Sequence, residues 1–282
     1  MKKLTAVIAT AFIAASLFAS GGREDSKVKS QIVKIGVTGA MYDDIWAPAI
    51  ESLKKEGIQI QLVQFSDYVQ PSRALEDGEV DLHACLSRAF FESEVKSHDY
   101  HIQRIANTLY VPLKLYSVKI KSASELKAGD IIAIPNEATN EGRALKLLAS
   151  GGVIKLKEGA GFNPKLDDIV SIPSGAVLKQ FASNTIPSTL IDVTAAIING
   201  GYALDFGIDP DTAIVSETKP DTAYWNLIAA RTADLSDKKK VALYDKVVKA
   251  FQVEATKKVF DEKFNGYFQQ VGWDIDELKE YK

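Results

Sequence analysis

The chain has 282 residues, 46% of them hydrophobic and 25% charged, enough to bury the core of two modest lobes or of one large domain. Its 37 acidic and 34 basic residues leave a formal net charge of -3, which excludes the basic excess that a phosphate backbone demands, so nucleic acid is not an expected partner. A single cysteine, Cys85, excludes an internal disulfide, and the fold must rest on packing.

Lys2 and Lys3, the apolar run from Leu4 to Phe18 and the small residues Ala19-Ser20-Gly21-Gly22 read as an export signal, with residues 1–20 the signal peptide. The run falls short of the roughly 20 apolar residues that cross a bilayer. Its end, "SLFASGG", has the shape of a bacterial lipobox, Leu-x-Ala-Cys-Gly, with Ser20 where the lipid-bearing cysteine stands. A hydroxyl cannot form the thioether to diacylglycerol, so the sequence predicts an exported chain without that anchor, soluble in the periplasm or secreted. Residues 21–30 follow as a polar tether.

From Gln31 the pattern changes. "IVKIGVTG" (32–39) alternates and ends in a glycine turn, predicting a strand; Tyr42 to Glu56 carries Ile45, Trp46, Ala49, Ile50 and Leu53 at helical spacing, closed by Gly57. "IQIQLVQF" (58–65) predicts the next strand, Pro71 to Leu75 a short helix, and "VDLHACL" (80–86) a third strand or the loop leaving it. That alternation predicts a parallel α/β sheet. A second α/β unit follows: a serine-capped turn before "DIIAIP" (130–135), an amphipathic helix in "NEATNEGRALKLLASGG" (136–152), and a strand in "AAIINGGYALDFG" (195–207) that breaks at Asn199-Gly200-Gly201. "YVPLKLYS" (110–117) and "YWNLIAAR" (224–231) read as crossings between lobes, and the helical register of Val241, Leu243, Tyr244, Val247, Val248 and Phe251 predicts a tail that packs back on the first lobe. The expected division is lobe 1 over 31–113 and 229–282, and lobe 2 over 114–228. "GAGFNP" (159–164) lacks the lysine and the preceding strand of a phosphate cradle and reads as a turn.

Several chemistries compete for the side chains. His83 and Cys85 alternate, so on a strand they would share a face, as a thiolate and its base must; a lone cysteine in an α/β core is otherwise a small hydrophobe. His98 and His101, three apart, could join His83 on zinc, or "KSHDYH" is a solvated connection. The acidic pairs Asp43-Asp44 and Asp167-Asp168 and the run Glu76-Asp77-Glu79 sit in polar stretches and read as solvated faces, so no catalytic group and no cofactor is assigned. What remains is a cleft that closes on a small molecule, with polar groups from loops at strand ends: Tyr68, Asn140, Arg143, Asn199, Tyr224 and Asn226. Arg143 at a helix start suits a carboxylate through its guanidinium fork, the alternative being a surface ion pair.

"FSDYVQPSRALEDGEVD" (65–81), "AIPNEATNEGRALKLLASGGVIKLKEG" (133–159), "IINGGYALDFGIDP" (197–210) and "AYWNLIAAR" (223–231) resemble the NlpA family of methionine-binding lipoproteins, substrate-binding proteins for ABC importers. The resemblance runs from about Val33 to the C-terminal helix. It implies a periplasmic-binding-protein-like fold of two α/β lobes with a ligand cleft between them, a methionine-like amino acid or related zwitterion in the cleft, a lipid-anchored monomer, and delivery to a permease in the cytoplasmic membrane. By position, Arg143 resembles the family's carboxylate clamp with Asn140 beside it, Asn226 the asparagine that meets the amino-acid backbone, and Tyr68 and Asn199 lining residues. Where the family reads approximately D-A-N-x-F-Q-H-x-P-Y, His83 replaces the asparagine, Cys85 the phenylalanine, Leu86 the glutamine, Ser87 the histidine and Ala89 the proline. Gly201 stands where asparagine is frequent and Ser188 where arginine is. The resemblance thus implies a pocket wall, His83, Cys85 and Ser87, altered in its side-chain contacts, and predicts that L-methionine ranks below another ligand.

Overall fold

The computed structural model describes residues 31–282; the expected signal peptide, Ser20 and the tether lie outside the described residues. The chain begins with β1 (Gln31–Val37), burying Val33, Ile35 and Val37, and α1 (Met41–Lys55), whose Ile45, Trp46, Ala49 and Leu53 recur at helical spacing and are all buried. Gly57, at φ 77°, ends that helix in a left-handed conformation free of Cβ conflict and turns the chain into β2 (Ile58–Gln64). There follow α2 (Gln70–Glu76), β3 (Leu82–His83), α3 (Arg88–His98) and β4 (Ile102–Tyr110).

Past Val111–Leu113 a second sheet is built from β5 (Lys114–Tyr116) and β6 (Ile131–Pro135), then α4 (Ala138–Ser150). The small antiparallel pair β7 (Lys155–Leu156) and β8 (Ile169–Ser171) precedes β9 (Val177–Phe181), α5 (Ile186–Thr189), β10 (Ala195–Ile198), α6 (Gly200–Asp205) and β11 (Val215–Ser216). The chain returns through β12 (Trp225–Arg231), α7 (Lys238–Phe251), α8 (Glu254–Lys258) and β13 (Gln269–Gln270).

The strands form two main sheets, ordered β13-β4-β12-β3-β1-β2 and β11-β5-β10-β6-β9, and this is the two-lobe α/β architecture. The expected parallel pairing holds for β2, β1 and β3, but β12 runs antiparallel to both β3 and β4, so the first sheet is mixed. β12 also corrects the expected second crossing. All of 225–231 is strand in the first sheet, pairing from Trp225 with Tyr110, so the return falls before Trp225 rather than at residue 229. Its apolar residues fit a strand buried on both faces as well as they fit a linker. α7 packs on α1 as its periodicity predicts, with the Phe251 and Trp46 ring centres 4.6 Å apart. The second lobe has its own core of Ile132, Ile134, Leu145, Leu148 and Ile197.

The lobes meet at the rim of the cleft between them through side chains. The Ala40 N–H donates to Asp205 Oδ1 at 3.0 Å, Asn184 Nδ2 donates to the Ser66 carbonyl at 3.2 Å, and the Tyr68 and Tyr202 rings lie 4.6 Å apart. Among the described residues no helix is long and apolar enough to cross a membrane.

Candidate functional site

Between the lobes lies a narrow cavity of about 40 Å³. On a scale where one water needs about 10–15 Å³ this is room for a few waters. The first lobe contributes Thr38, Met41, Tyr42, Tyr68, Cys85, Leu86, Ser87, Phe90 and Asn226; the crossing gives Val111, Pro112 and Leu113; the second lobe gives Asn140, Arg143, Asn199, Gly200 and Gly201. No aspartate or glutamate is in that lining, and Arg143 is its one formal charge. The first turns of α1, α3 and α4 reach it through Met41, Ser87 and Asn140, so the positive ends of three helix dipoles border the same space.

Arg143 is no surface ion pair. It is buried on α4, with Nε and Nη2 on the two Glu217 oxygens at 2.8 and 2.5 Å and Nη2 also on the Val111 carbonyl at 2.8 Å. Burial, the largest influence, would lower its pKa, but the hydrogen bonding and charge of Glu217 together with Tyr110 and Tyr224 outweigh it, and the guanidinium is held above its ordinary value. Among the described residues Nη1 makes no hydrogen bond, and Arg143 is one of the residues that line the cavity. Glu217 itself accepts from Tyr110 Oη at 2.8 Å and from the Leu113 N–H at 2.7 Å, tying the guanidinium to the crossing segment. Sequence reasoning missed Glu217, which lies in the polar stretch after β11 and carries no local signal.

Beneath the guanidinium, Tyr224 presents its ring 4.3 Å from the Arg143 carbon and stacks on Phe162 at 5.6 Å. Tyr224 was expected to line the cavity; it supports Arg143 from behind instead and is absent from the lining. Phe162 comes from the "GAGFNP" segment, which is turn and bend as expected, and Gly142 lets it approach: a Cβ there would stand 2.8 Å from the Asn163 Cα.

On the opposite side Asn226 Nδ2 donates to Tyr42 Oη at 3.3 Å, and Asn226 is held by a bridge to Ser87. Ser87 Oγ caps α3 by accepting from the Phe90 N–H. The Cys85 thiol donates to Thr38 Oγ1 at 3.8 Å, and burial pushes it up to about 12, so it stays neutral. Ser188 lies outside the wall: it is exposed on α5, and its hydroxyl donates to the Thr185 carbonyl.

His83 departs from expectation. It is fully buried beside the Phe91 ring at 5.5 Å, does not line the cavity, and has neither ring nitrogen hydrogen-bonded; burial pushes it down to about 3. The alternation that would put His83 and Cys85 on one face does not apply, because β3 ends at His83 and Cys85 belongs to the irregular segment that follows. A thiol bonded to Thr38 and an imidazole without a partner are not a nucleophile and its base. The zinc alternative fails too. His98 pairs with Glu94 and His101 with Glu76, and among the described residues no three potential ligands converge. Missed by sequence reasoning were Thr38, Met41, Tyr42 and Phe90; their signal was position, just past the carboxyl ends of β1 and β3, where open α/β sheets bind ligands.

The family model described as NlpA lipoprotein matches residues 33–272. A D-methionine-binding lipoprotein MetQ of Yersinia pestis is 34% identical over 238 residues, covering 83% of this chain and 86% of the relative. The structure of a nutrient binding protein from Burkholderia cenocepacia bound to methionine is 35% identical with a TM-score of 0.79, covering 85% of this chain and 99% of that one. The substrate binding protein of a methionine transporter from Streptococcus pneumoniae is 30% identical with a TM-score of 0.80, over 85% and 95% of the two chains.

Proposed function

The chain belongs to the NlpA lipoprotein family, and we propose that it is an extracytoplasmic substrate-binding protein that holds methionine or a related amino-acid zwitterion between its lobes and hands it to an ABC permease in the cytoplasmic membrane. The observation that carries this is Arg143: a buried, always-charged guanidinium oriented by Glu217, with Nη1 not hydrogen-bonded among the described residues, on a residue lining a cavity whose wall has no carboxylate. Such a group takes an α-carboxylate, and the helix N-termini around it add to the attraction. Methionine-bound and methionine-transporter relatives of similar fold support the ligand class. The chemistry is binding without turnover, since the one thiol is neutral and has no base.

The wall chooses among amino acids. Cys85, Leu86 and Ser87 give the cavity a small, neutral face beside Met41 and Phe90, and we expect them to rank another ligand above L-methionine. A thermal-shift screen of the twenty amino acids tests both points, since a ligand at 100 times its Kd stabilises by about 2.7 kcal/mol. Absence of a shift with any amino acid, or a hydrolysed product by mass spectrometry after incubation with short peptides, would overturn the proposal. Tight methionine-selective binding would overturn only the ranking. For localisation, the reading is export, with Ser20 lacking the thiol that lipidation uses; detergent partitioning should leave the chain in the aqueous phase.

A further inference from the structure

Asn199 stands at the N-cap of α6, where an asparagine oxygen ordinarily accepts an N–H of the first turn, yet it makes no such bond. Its Oδ1 is buried with no hydrogen-bond partner at all, on a residue that lines the cavity. A buried acceptor left unpaired is costly, so the direction of this amide needs a cause.

The cause lies two residues back along a relay. Asn199 Nδ2 donates to Asn140 Oδ1 at 3.4 Å, and Asn140 Nδ2 points to Glu137 Oε2 at 3.4 Å and Ser183 Oγ at 3.5 Å. Glu137 also accepts from the Ser183 N–H at 3.0 Å and from the Ser183 hydroxyl. A carboxylate can only accept, and the Ser183 proton is already spent on it, so both neighbours demand that Asn140 turn its NH2 toward them. Asn140 must then show its oxygen to Asn199, Asn199 must answer with its NH2, and the Asn199 oxygen is left over. Reversing either amide would set oxygen against oxygen.

We infer that Glu137, which does not touch the cavity, sets the polarity of the cleft through Asn140 and Asn199, so that the second lobe presents an acceptor oxygen and selects ligands carrying an N–H donor near the carboxylate held by Arg143. The inference rests on the proposed amino-acid binding and adds a positioning residue to it. On this arrangement a cavity without an acidic side chain would tell an α-amino acid from a plain carboxylic acid: the negative charge stays one relay away, and only its orienting effect reaches the ligand.

The test uses the L-amino acid that stabilises most in the screen and its deaminated counterpart, for L-methionine the methylsulfanyl butanoate lacking only the α-amino group. Wild-type protein should prefer the amino acid by about tenfold or more. Glu137→Gln can offer an NH2 to Asn140 and lets both amides turn, so the preference should shrink several-fold, chiefly through loss of amino-acid affinity. Glu137→Asp, which keeps an acceptor-only group, should hold more of the preference than Glu137→Gln. A purely structural role for Glu137 would lower the melting temperature of unliganded protein or weaken both ligands equally, and either result with an unchanged ratio overturns the relay. Equal wild-type affinity for the two ligands overturns it as well while amino-acid binding stands. If no amino acid binds, the proposed function fails and the relay falls with it.

Discussion

Arg143 at one end of the cleft is bound to Glu217 through two nitrogens and braced by the Val111 carbonyl and the Tyr224 ring, whereas Cys85 on the opposite wall makes a single long contact to Thr38. The first region is over-determined: charge, hydrogen bonds and stacking all specify one geometry. The second is held by packing and the neutral cap of α3, so its side chains can change without disturbing a network. The difference teaches where variation is tolerated. On the proposed function, the wall can be altered and the ligand ranking with it, while the Arg143 end has to be kept or lost as a unit.

The harshest way to break the comparison is Arg143→Ala. It leaves the half-buried Glu217 without its cation, which costs about 3 kcal/mol of stability, and removes the proposed carboxylate partner, which costs every amino-acid ligand on the order of 2 kcal/mol or more. Chemical denaturation and calorimetric titration read the two effects separately; retained affinity would remove Arg143 from its assigned role. Gly142→Ala, one residue before the arginine, should cost about 1–3 kcal/mol, because its Cβ would meet the Asn163 backbone at 2.8 Å and push the Phe162 segment from beneath Tyr224. Unchanged thermal stability would show that this segment yields freely.

On the wall side the test is acid. With a folded-state value of about 3 against 6.5 for an ordinary histidine, His83 is neutral when folded and takes up a proton on unfolding anywhere between those values. Its contribution is therefore intact above pH 6.5 and is lost as pH falls toward 3, by about 1.4 kcal/mol per pH unit. His83→Leu should remove that slope, so the stability gap between variant and wild type should widen with acidity; a constant gap would mean that His83 finds a partner. The smallest effect is expected from Cys85→Ala, which should leave folding nearly intact and alter affinities unequally, by up to about 1.5 kcal/mol between ligands. Equal weakening of all ligands would place Cys85 with the carboxylate end instead.

By itself the sequence determined the two α/β units, their core faces and the family. Those depend on patterns within ten to twenty residues, such as the spacing of Ile45, Trp46, Ala49 and Leu53 or the glycine that closes α1, and short-range sterics and burial read such patterns one segment at a time. Polar residues at strand ends, together with the family resemblance, pointed to Tyr68, Arg143, Asn140, Asn199 and Asn226, and the fold brings all five to the cavity. The sequence placed Cys85 at the cavity but put His83 beside it wrongly, because whether two alternating side chains share a face depends on how far the strand runs, and β3 stops after two residues where its neighbours β1 and β12 define the sheet. Only the tertiary structure decided what holds the site in place. Glu217 lies 74 residues from Arg143, and Asn199 lies 59 residues from the Asn140 that fixes its amide. Hydrogen-bond direction and the pairing of a buried charge are properties of groups brought together by folding, and no periodicity along the chain encodes them.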